Sequence, residues 1–116
     1  MKKPNIVFDF DGVIHSYSSG WKGIDTIPDP PVKGIREAIR KLRKDYFVIV
    51  VSSRCESPKG LTAVINYLND NNIEVDNVTS GKPPAVVYID DRGLKFDGNT
   101  ENLIENIKNF KTWLDK

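Results

Sequence analysis

The stretch "NIVFDFDGVIHS", residues 5–16, begins as an apolar segment and then carries two aspartates, Asp9 and Asp11, separated by one phenylalanine. Residues 6–10 predict a short β-strand, so the aspartates fall at its end. Side chains two residues apart on a strand point the same way, so both carboxylates can share one site. Gly12 lets the backbone turn sharply away after them.

Three further apolar segments predict strands at residues 46–51 ("YFVIVV"), 75–78 and 85–89. Runs that are apolar without interruption are typical of strands buried on both faces. Three segments have the i, i+3, i+4, i+7 spacing of amphipathic helices. These are residues 35–42, starting near Pro31; residues 61–68, with Ser57 as N-cap and Pro58 at the first helical position; and residues 103–114, capped by Asn99 or Thr100. The alternation predicts a doubly wound, mainly parallel sheet with helices on both faces, a Rossmann-like α/β fold.

Length and composition predict one domain over residues 1–116. The formal net charge of +1 gives no argument for a nucleic-acid partner and weakly disfavours a stable complex with long nucleic acid. Cys55 is the sole cysteine, so an intrachain disulfide and a cysteine metal site are excluded. We expect no membrane span and no signal peptide, and therefore a cytoplasmic protein.

Residues 12–31, rich in Gly, Ser and Pro, interrupt the alternation. A loop of this length is either functional or a small hairpin, and we call residues 13–27 the flap. The flap contains His15, Tyr17 and Trp21. These side chains either pack locally within a hairpin, or Trp21 or Tyr17 stacks on a substrate ring.

Polar residues adjoin the strands where ligands bind in open parallel sheets, beyond the carboxyl ends. Asp9 and Asp11 end the first strand, Ser52, Ser53 and Arg54 follow the second, Lys82 precedes the fourth, and Asp90, Asp91 and Arg92 follow it. Clustered carboxylates repel one another, and Mg²⁺, which prefers oxygen ligands, relieves that conflict. A cation beside a lysine and a hydroxyl suits a phosphate group that a carboxylate attacks. One of Asp9 and Asp11 can be the nucleophile and the other the acid/base.

Together these residues resemble the haloacid dehalogenase superfamily of phosphohydrolases over nearly the whole chain. The matching motifs are "DFDGV" at residues 9–13, Ser52 at the end of the second strand, Lys82 in "SGKPP", and "YIDDR" at residues 88–92. The chain has no room for a large cap domain, so it resembles the small capless members, and the flap is its only insertion. The motif "IDDR" is similar to that of small nucleotidases and of phosphatases acting on nucleic-acid ends.

The resemblance implies a role for each motif residue. Asp9 would form an aspartyl-phosphate, Asp11 would protonate the leaving oxygen and then activate water, and Ser52 and Lys82 would bind the phosphoryl group. Mg²⁺ would be held by the Asp9 carboxylate, the Asp11 backbone carbonyl and the acidic pair, with Asp91 as the expected direct ligand and Asp90 behind it, or the reverse. Substrate contacts are expected from Gly12, Ser53, Arg54 and Trp21.

Each assignment has a structural alternative. Ser52 could simply end a strand, and Lys82 could be a surface lysine beside a turn. Arg54 and Arg92 could bind phosphate or pair with the acidic cluster. The same site could also belong to a module that binds Mg²⁺ or a phosphorylated ligand without turnover. A response-regulator receiver domain carries similar groups, but there the acidic pair follows the first strand, whereas here it follows the last.

Overall fold

The computed structural model describes residues 3–110, which form an α/β unit around a four-stranded, all-parallel sheet in the order β3-β2-β1-β4. The strands are β1 (Asn5–Asp9), β2 (Phe47–Val51), β3 (Asn77–Thr79) and β4 (Val87–Ile89). The helices are α1 (Ile35–Leu42), α2 (Pro58–Asp70) and α3 (Leu103–Asn109), and a 3-10 turn covers Ser53–Glu56. The predicted α/β class and parallel pairing are therefore confirmed.

The register of β1 aligns the ends of the strands. Asp9 lies opposite Val51 of β2, and Phe8 lies opposite Ile89 of β4. The residues that leave the sheet next to Asp9 are therefore Ser52 on one side and Asp90 on the other. The carboxyl ends of parallel strands lie along one edge of the sheet. This register therefore places Asp9, Ser52 and Asp90 at the edge where ligands bind in such sheets.

One face of the sheet carries the main core. Apolar side chains of β1 and β2 pack there against helices α1 and α2, and the buried residues of this cluster include Ile6, Phe8, Val48, Val50, Ile39, Val64 and Leu68. All of these are at most 5% exposed. The sheet is thus held to its helices by close-packed apolar side chains. Removing even one methylene from such a core lowers the free energy of unfolding.

The opposite face buries Val7, Ile49 and Val51, with Ala85 packed against them. Within residues 3–110 no helical side chain joins that cluster. Helix α3 buries none of its residues, and Ile104 is 67% exposed. The predicted continuation of its apolar stripe, through Trp113 and Leu114, lies outside the described residues.

The helix boundaries follow local chemistry. Ser57 is the N-cap of α2 and Pro58 is its first residue, as predicted. Proline fits the first helical position because the N–H that it lacks would have no partner within the helix there. Helix α1 begins after Gly34, in the left-handed region at φ 83°, rather than near Pro31. The predicted caps of α3 are wrong, because the helix begins after Asn102 and the Asn99 side chain instead accepts the N–H of Glu101.

None of the helices in the described part of the chain has the length and apolar character that a membrane crossing requires.

Strand β3 starts two residues later than predicted because Asp76 interrupts the ladder with its side chain. Its carboxylate accepts the backbone N–H of Val48 at 2.8 Å and two guanidinium N–H groups of Arg43. These bonds lower the pKa of Asp76, with the Arg43 hydrogen bond as the largest cause. The carboxylate thereby fastens the end of α1 to the sheet.

We expect Asp76→Ala to lower the free energy of unfolding by about 1–2 kcal/mol, because it leaves the Val48 N–H and the Nε and Nη2 groups of Arg43 without their acceptor. The folded-state pKa lies below the unfolded value, so this stabilisation is present above the unfolded pKa, near 3.9, and is lost as the pH falls through the folded pKa. Urea unfolding at several pH values measures both effects. Glu74→Ala is the control, since Glu74 also pairs with Arg43 but its side chain is 85% exposed. An equal loss in both variants would contradict the argument.

Candidate metal and phosphate site

An acidic cluster forms where β1 and β4 end. Asp9, Asp90 and Asp91 each place one carboxylate oxygen within 4.8 Å of the others. Burial, together with the charges of Asp90, Asp91 and Asp11, raises the pKa of Asp9 to about 6, against the lowering effect of the hydrogen bond from the Phe10 N–H. Ionising all three groups is therefore costly unless a cation joins them.

The donor set fits a hard divalent cation. It contains only carboxylate oxygens, and Mg²⁺ accepts two or three protein oxygens and keeps water in its remaining positions. Gly12 lies directly against the Asp91 carboxylate and leaves no room for a side chain, because a Cβ built there would lie 2.2 Å from Oδ2 of Asp91. The carboxylate of Asp11 is outside this group of three, which leaves its backbone carbonyl as the expected donor.

The Asp11 carboxylate faces the opposite electrostatic environment. Arg54 donates to both of its oxygens, from Nε at 2.9 Å and from Nη2 at 3.3 Å. Nδ1 of His15 lies 2.8 Å from Oδ1. The two aspartates of the D-x-D motif line one cavity, but one belongs to an acidic cluster and the other is bonded by a guanidinium and an imidazole.

His15 is fully buried, and its partners define its tautomer. The backbone N–H of Asp29 donates to Nε2 at 3.2 Å, so Nε2 must accept. The proton of the neutral ring is therefore on Nδ1, which donates to Asp11. Tyr67 from α2 donates its hydroxyl to the Asp29 carbonyl, and this chain of bonds connects Asp11 to the helix behind the flap.

Arg54 connects the flap to the sheet. Its side chain is fully buried, and Nη1 donates to the carbonyls of Gly23, Ile24 and Thr26 at 2.6, 3.0 and 3.4 Å. The Trp21 ring lies over the guanidinium, 4.4 Å from it. Of the two alternatives for Arg54, pairing with an acidic residue is observed, and all three guanidinium nitrogens make hydrogen bonds within the chain. The expected substrate contact of Arg54 stays a prediction.

The flap is not a hairpin. Residues 12–31 contain only isolated bridges, between Asp11 and His15 and between His15 and Pro31. Side chains replace the missing ladder, since Arg54 bonds three flap carbonyls and Asp29 accepts both the N–H and the hydroxyl of Ser19. A loop whose backbone is bonded by buried side chains does not need strand pairing.

A cavity of about 260 Å³ opens beside the two aspartates. Its lining consists of Asp9, Asp11, Tyr17, Trp21, Ser52, Ser53 and Arg92. Ser52 is 5% exposed, and its Oγ accepts the N–H of Arg54, which leaves the hydroxyl proton able to donate. A larger cavity of about 650 Å³ lies between the end of the flap and α2, and contains none of the predicted site residues.

Lys82 lies at the margin of this arrangement. Its Nζ is 3.4 Å from Oδ2 of Asp90 and 5.5 Å from the centre of the Tyr88 ring, and its side chain is 53% exposed. It does not line the cavity. A lysine in this position can still reach an anion that is held beside Asp90, because its stem is long and flexible.

Sequence reasoning missed Asp29 and Tyr67 and gave His15 only a packing role. His15 lies four residues after Asp11, but a single histidine in a loop gives no signal of its partner. Asp29 sits in a proline-rich segment typical of a turn and carries no signal at all.

Comparison with known proteins adds a likeness of fold. A target protein from Vibrio cholerae, known from its crystal structure, superposes with a TM-score of 0.55 at 17% sequence identity, covering 93% of this chain and 98% of the other. No family model matches the chain. No curated protein matches it either. At this identity the likeness concerns the fold alone.

We expect Arg54→Lys to lower the free energy of unfolding by about 2–4 kcal/mol, because the charge is kept but several buried hydrogen bonds of the guanidinium are lost. A lysine cannot bond the Asp11 carboxylate and three carbonyls at once, because it lacks the planar fork of donors. Chemical denaturation measures the loss, and Arg40→Lys is the matched control, since Arg40 is 63% exposed. A lysine variant as stable as the control would show that the network does not support the flap.

We expect Gly12→Ala to weaken Mg²⁺ binding at least tenfold, because its Cβ would displace the Asp91 carboxylate. Gly98→Ala is the matched control, because Gly98 has the same φ of 87° but no atom within 4 Å of the added carbon. Calorimetric titration with Mg²⁺ compares the two variants. If both lose affinity equally, backbone strain and not the contact with Asp91 is responsible.

Proposed function

We propose that this protein is a Mg²⁺-dependent phosphomonoesterase that works through an aspartyl-phosphate on Asp9, with a doubly wound core of the haloacid dehalogenase type. The observation that carries the proposal is the group of three carboxylates within 4.8 Å at the end of β1, next to a cavity that also holds Ser52. The order of the four motifs along the chain supports it, as does the parallel sheet that aligns them.

Asp9 is the nucleophile of the proposed reaction. Its carboxylate oxygen attacks phosphorus, and the bond between phosphorus and the leaving alcohol oxygen breaks. Asp11 acts as the acid of this step: its Oδ2, which accepts one hydrogen bond where Oδ1 accepts two, carries the proton that passes to that oxygen. In the second half, Asp11 takes a proton from water, the water oxygen attacks phosphorus, and the bond to Asp9 breaks to release phosphate.

The other side chains bind the transferring group. The Ser52 hydroxyl donates to a phosphoryl oxygen, and the Lys82 ammonium offsets its charge from the side of Asp90. Asp9, Asp90 and Asp91 would hold Mg²⁺, with the Asp11 backbone carbonyl as a further donor. When bound, the cation supplies charge neutralisation at the phosphoryl oxygens and removes the repulsion among the carboxylates.

Phosphate esters of nucleotides and nucleic-acid ends are the substrates that the motif resemblance favours. The net charge of +1 supports a substrate that binds locally rather than a long nucleic acid. The sole cysteine, Cys55, is consistent with the cytoplasmic location that we propose.

The test is phosphate release from a panel of phosphomonoesters with Mg²⁺ and with EDTA. We expect release only with Mg²⁺, and a loss of at least 10³-fold in kcat in Asp9→Asn, because the amide cannot act as nucleophile. Asp45→Asn, at an exposed carboxylate before β2, is the control and should retain full activity.

The variant should remain folded, because the folded-state pKa of Asp9 is raised to about 6, so that its ionisation opposes folding as the pH rises above the unfolded pKa, near 3.9, and does so fully above about pH 6. Unchanged turnover in folded Asp9→Asn would overturn the proposal. Tight Mg²⁺ and phosphate binding without turnover on any ester would instead favour a non-catalytic binding module.

A further inference from the structure

The cavity at the site has two chemically distinct walls. Asp9, Asp11, Ser52 and Ser53 supply carboxylates and hydroxyls where the strands end. The flap contributes aromatic rings from Tyr17 and Trp21 instead. The proposed chemistry uses the polar wall and leaves the aromatic wall without a role.

Trp21 is held in a fixed place although it is exposed. Half of its surface (53%) is open to solvent, while its ring lies over the guanidinium of Arg54 at 4.4 Å. Arg54 is itself fully buried and bonded to Asp11 and to three flap carbonyls. The indole therefore rests on a rigid cation, and a large aromatic ring held at the rim of a cavity is suited to stacking.

Tyr17 occupies a conformation that a non-glycine residue seldom adopts. Its φ is 61°, in the left-handed region, and its ring meets His15 edge-to-face at a centroid distance of 5.8 Å. Such backbone strain persists where the surroundings over-determine it, and it clusters at ligand sites. Here it brings a phenol ring to the cavity that Trp21 also lines.

The size of the cavity limits the substrate. Its volume of about 260 Å³ is below the range of roughly 300–1,000 Å³ in which drug-sized ligands are enclosed. A phosphate group bound at the carboxylates leaves room inside the cavity for a group about the size of one ring.

From these observations, and resting on the proposed function, we propose that Trp21 and Tyr17 form a specificity subsite for a planar ring in the leaving alcohol. The substrate class is then a small phosphomonoester that carries one aromatic or heteroaromatic ring, either an aryl phosphate or a pyrimidine mononucleotide. Trp21 and Tyr17 select the substrate by stacking on its ring, while Arg54 fixes the position of Trp21.

Two matched pairs of substrates isolate the ring. Phenyl phosphate is compared with cyclohexyl phosphate, which has a similar size but no planar ring, and uridine 5′-monophosphate is compared with ribose 5-phosphate, which lacks the base. We expect kcat/KM to be about tenfold higher or more for the ring-bearing member of at least one pair, as stacking on an aromatic side chain supplies. The pair with the larger ratio distinguishes an aryl phosphate from a nucleotide.

Three variants assign the preference to Trp21. Trp21→Leu keeps apolar bulk but removes the aromatic face, so the ratio of the two kcat/KM values in each pair should fall to near one. Trp21→Phe should restore most of the ratio. Phe47→Leu, at an aromatic residue 40% exposed at the start of β2 and so at the far end of the strand, is the control and should change nothing.

Calorimetry in the presence of Mg²⁺ measures the binding of phenylphosphonate and cyclohexylphosphonate to Asp9→Asn. This measurement separates the subsite from the proposed function. A ring preference in binding that Trp21→Leu abolishes supports the subsite even if no ester is hydrolysed. Turnover without any ring preference overturns the subsite and leaves the phosphatase standing. Equal binding of both phosphonates, with no turnover of any ester, overturns both.

Discussion

Repulsion among carboxylates is the constraint on which the site depends. The register of β1 with β4 sets Phe8 opposite Ile89, so Asp9, the last residue of β1, lies next to Asp90, the first residue after β4. Asp91 joins them within 4.8 Å, and burial raises the pKa of Asp9 to about 6. A sheet held together by apolar side chains tolerates such a cluster at its edge because solvent or a cation can reach it. The same register that stabilises the fold therefore prepares a site for positive charge.

The second aspartate of the motif, Asp11, has a different electrostatic environment from Asp9. Asp11 lies beyond the last residue of β1, and its carboxylate turns to Arg54 and His15. Two carboxylates two residues apart thus have opposite surroundings, one acidic and one basic. This division suits two different roles in one reaction, because environment rather than residue type decides what a carboxylate does.

Arg54 also explains how a long loop stays ordered without secondary structure. The flap gains its order from a buried guanidinium, from Asp29 and from the imidazole of His15. The guanidinium and the imidazole also bond Asp11, so the flap and the proposed acid/base depend on the same set of bonds. A change that releases the flap would therefore also disturb the proposed acid/base.

The sequence by itself determined the class of fold and the edge at which the site lies. Continuous apolar runs between amphipathic segments specify a parallel sheet, and the strand ends predict that Asp9, Ser52, Asp90 and Asp91 lie at one edge of it. Local chemistry also specifies the start of α2 at Pro58.

The tertiary structure alone decided the partners of Asp11, because Arg54 is 43 residues away along the chain and no local pattern encodes that contact. It also decided that β1 ends at Asp9, that the flap is a loop rather than a hairpin, and that Lys82 stays at the margin beside Asp90. Periodicity reports which face of an element is apolar, whereas the partner of a buried charge depends on which segments the completed fold brings within hydrogen-bond distance.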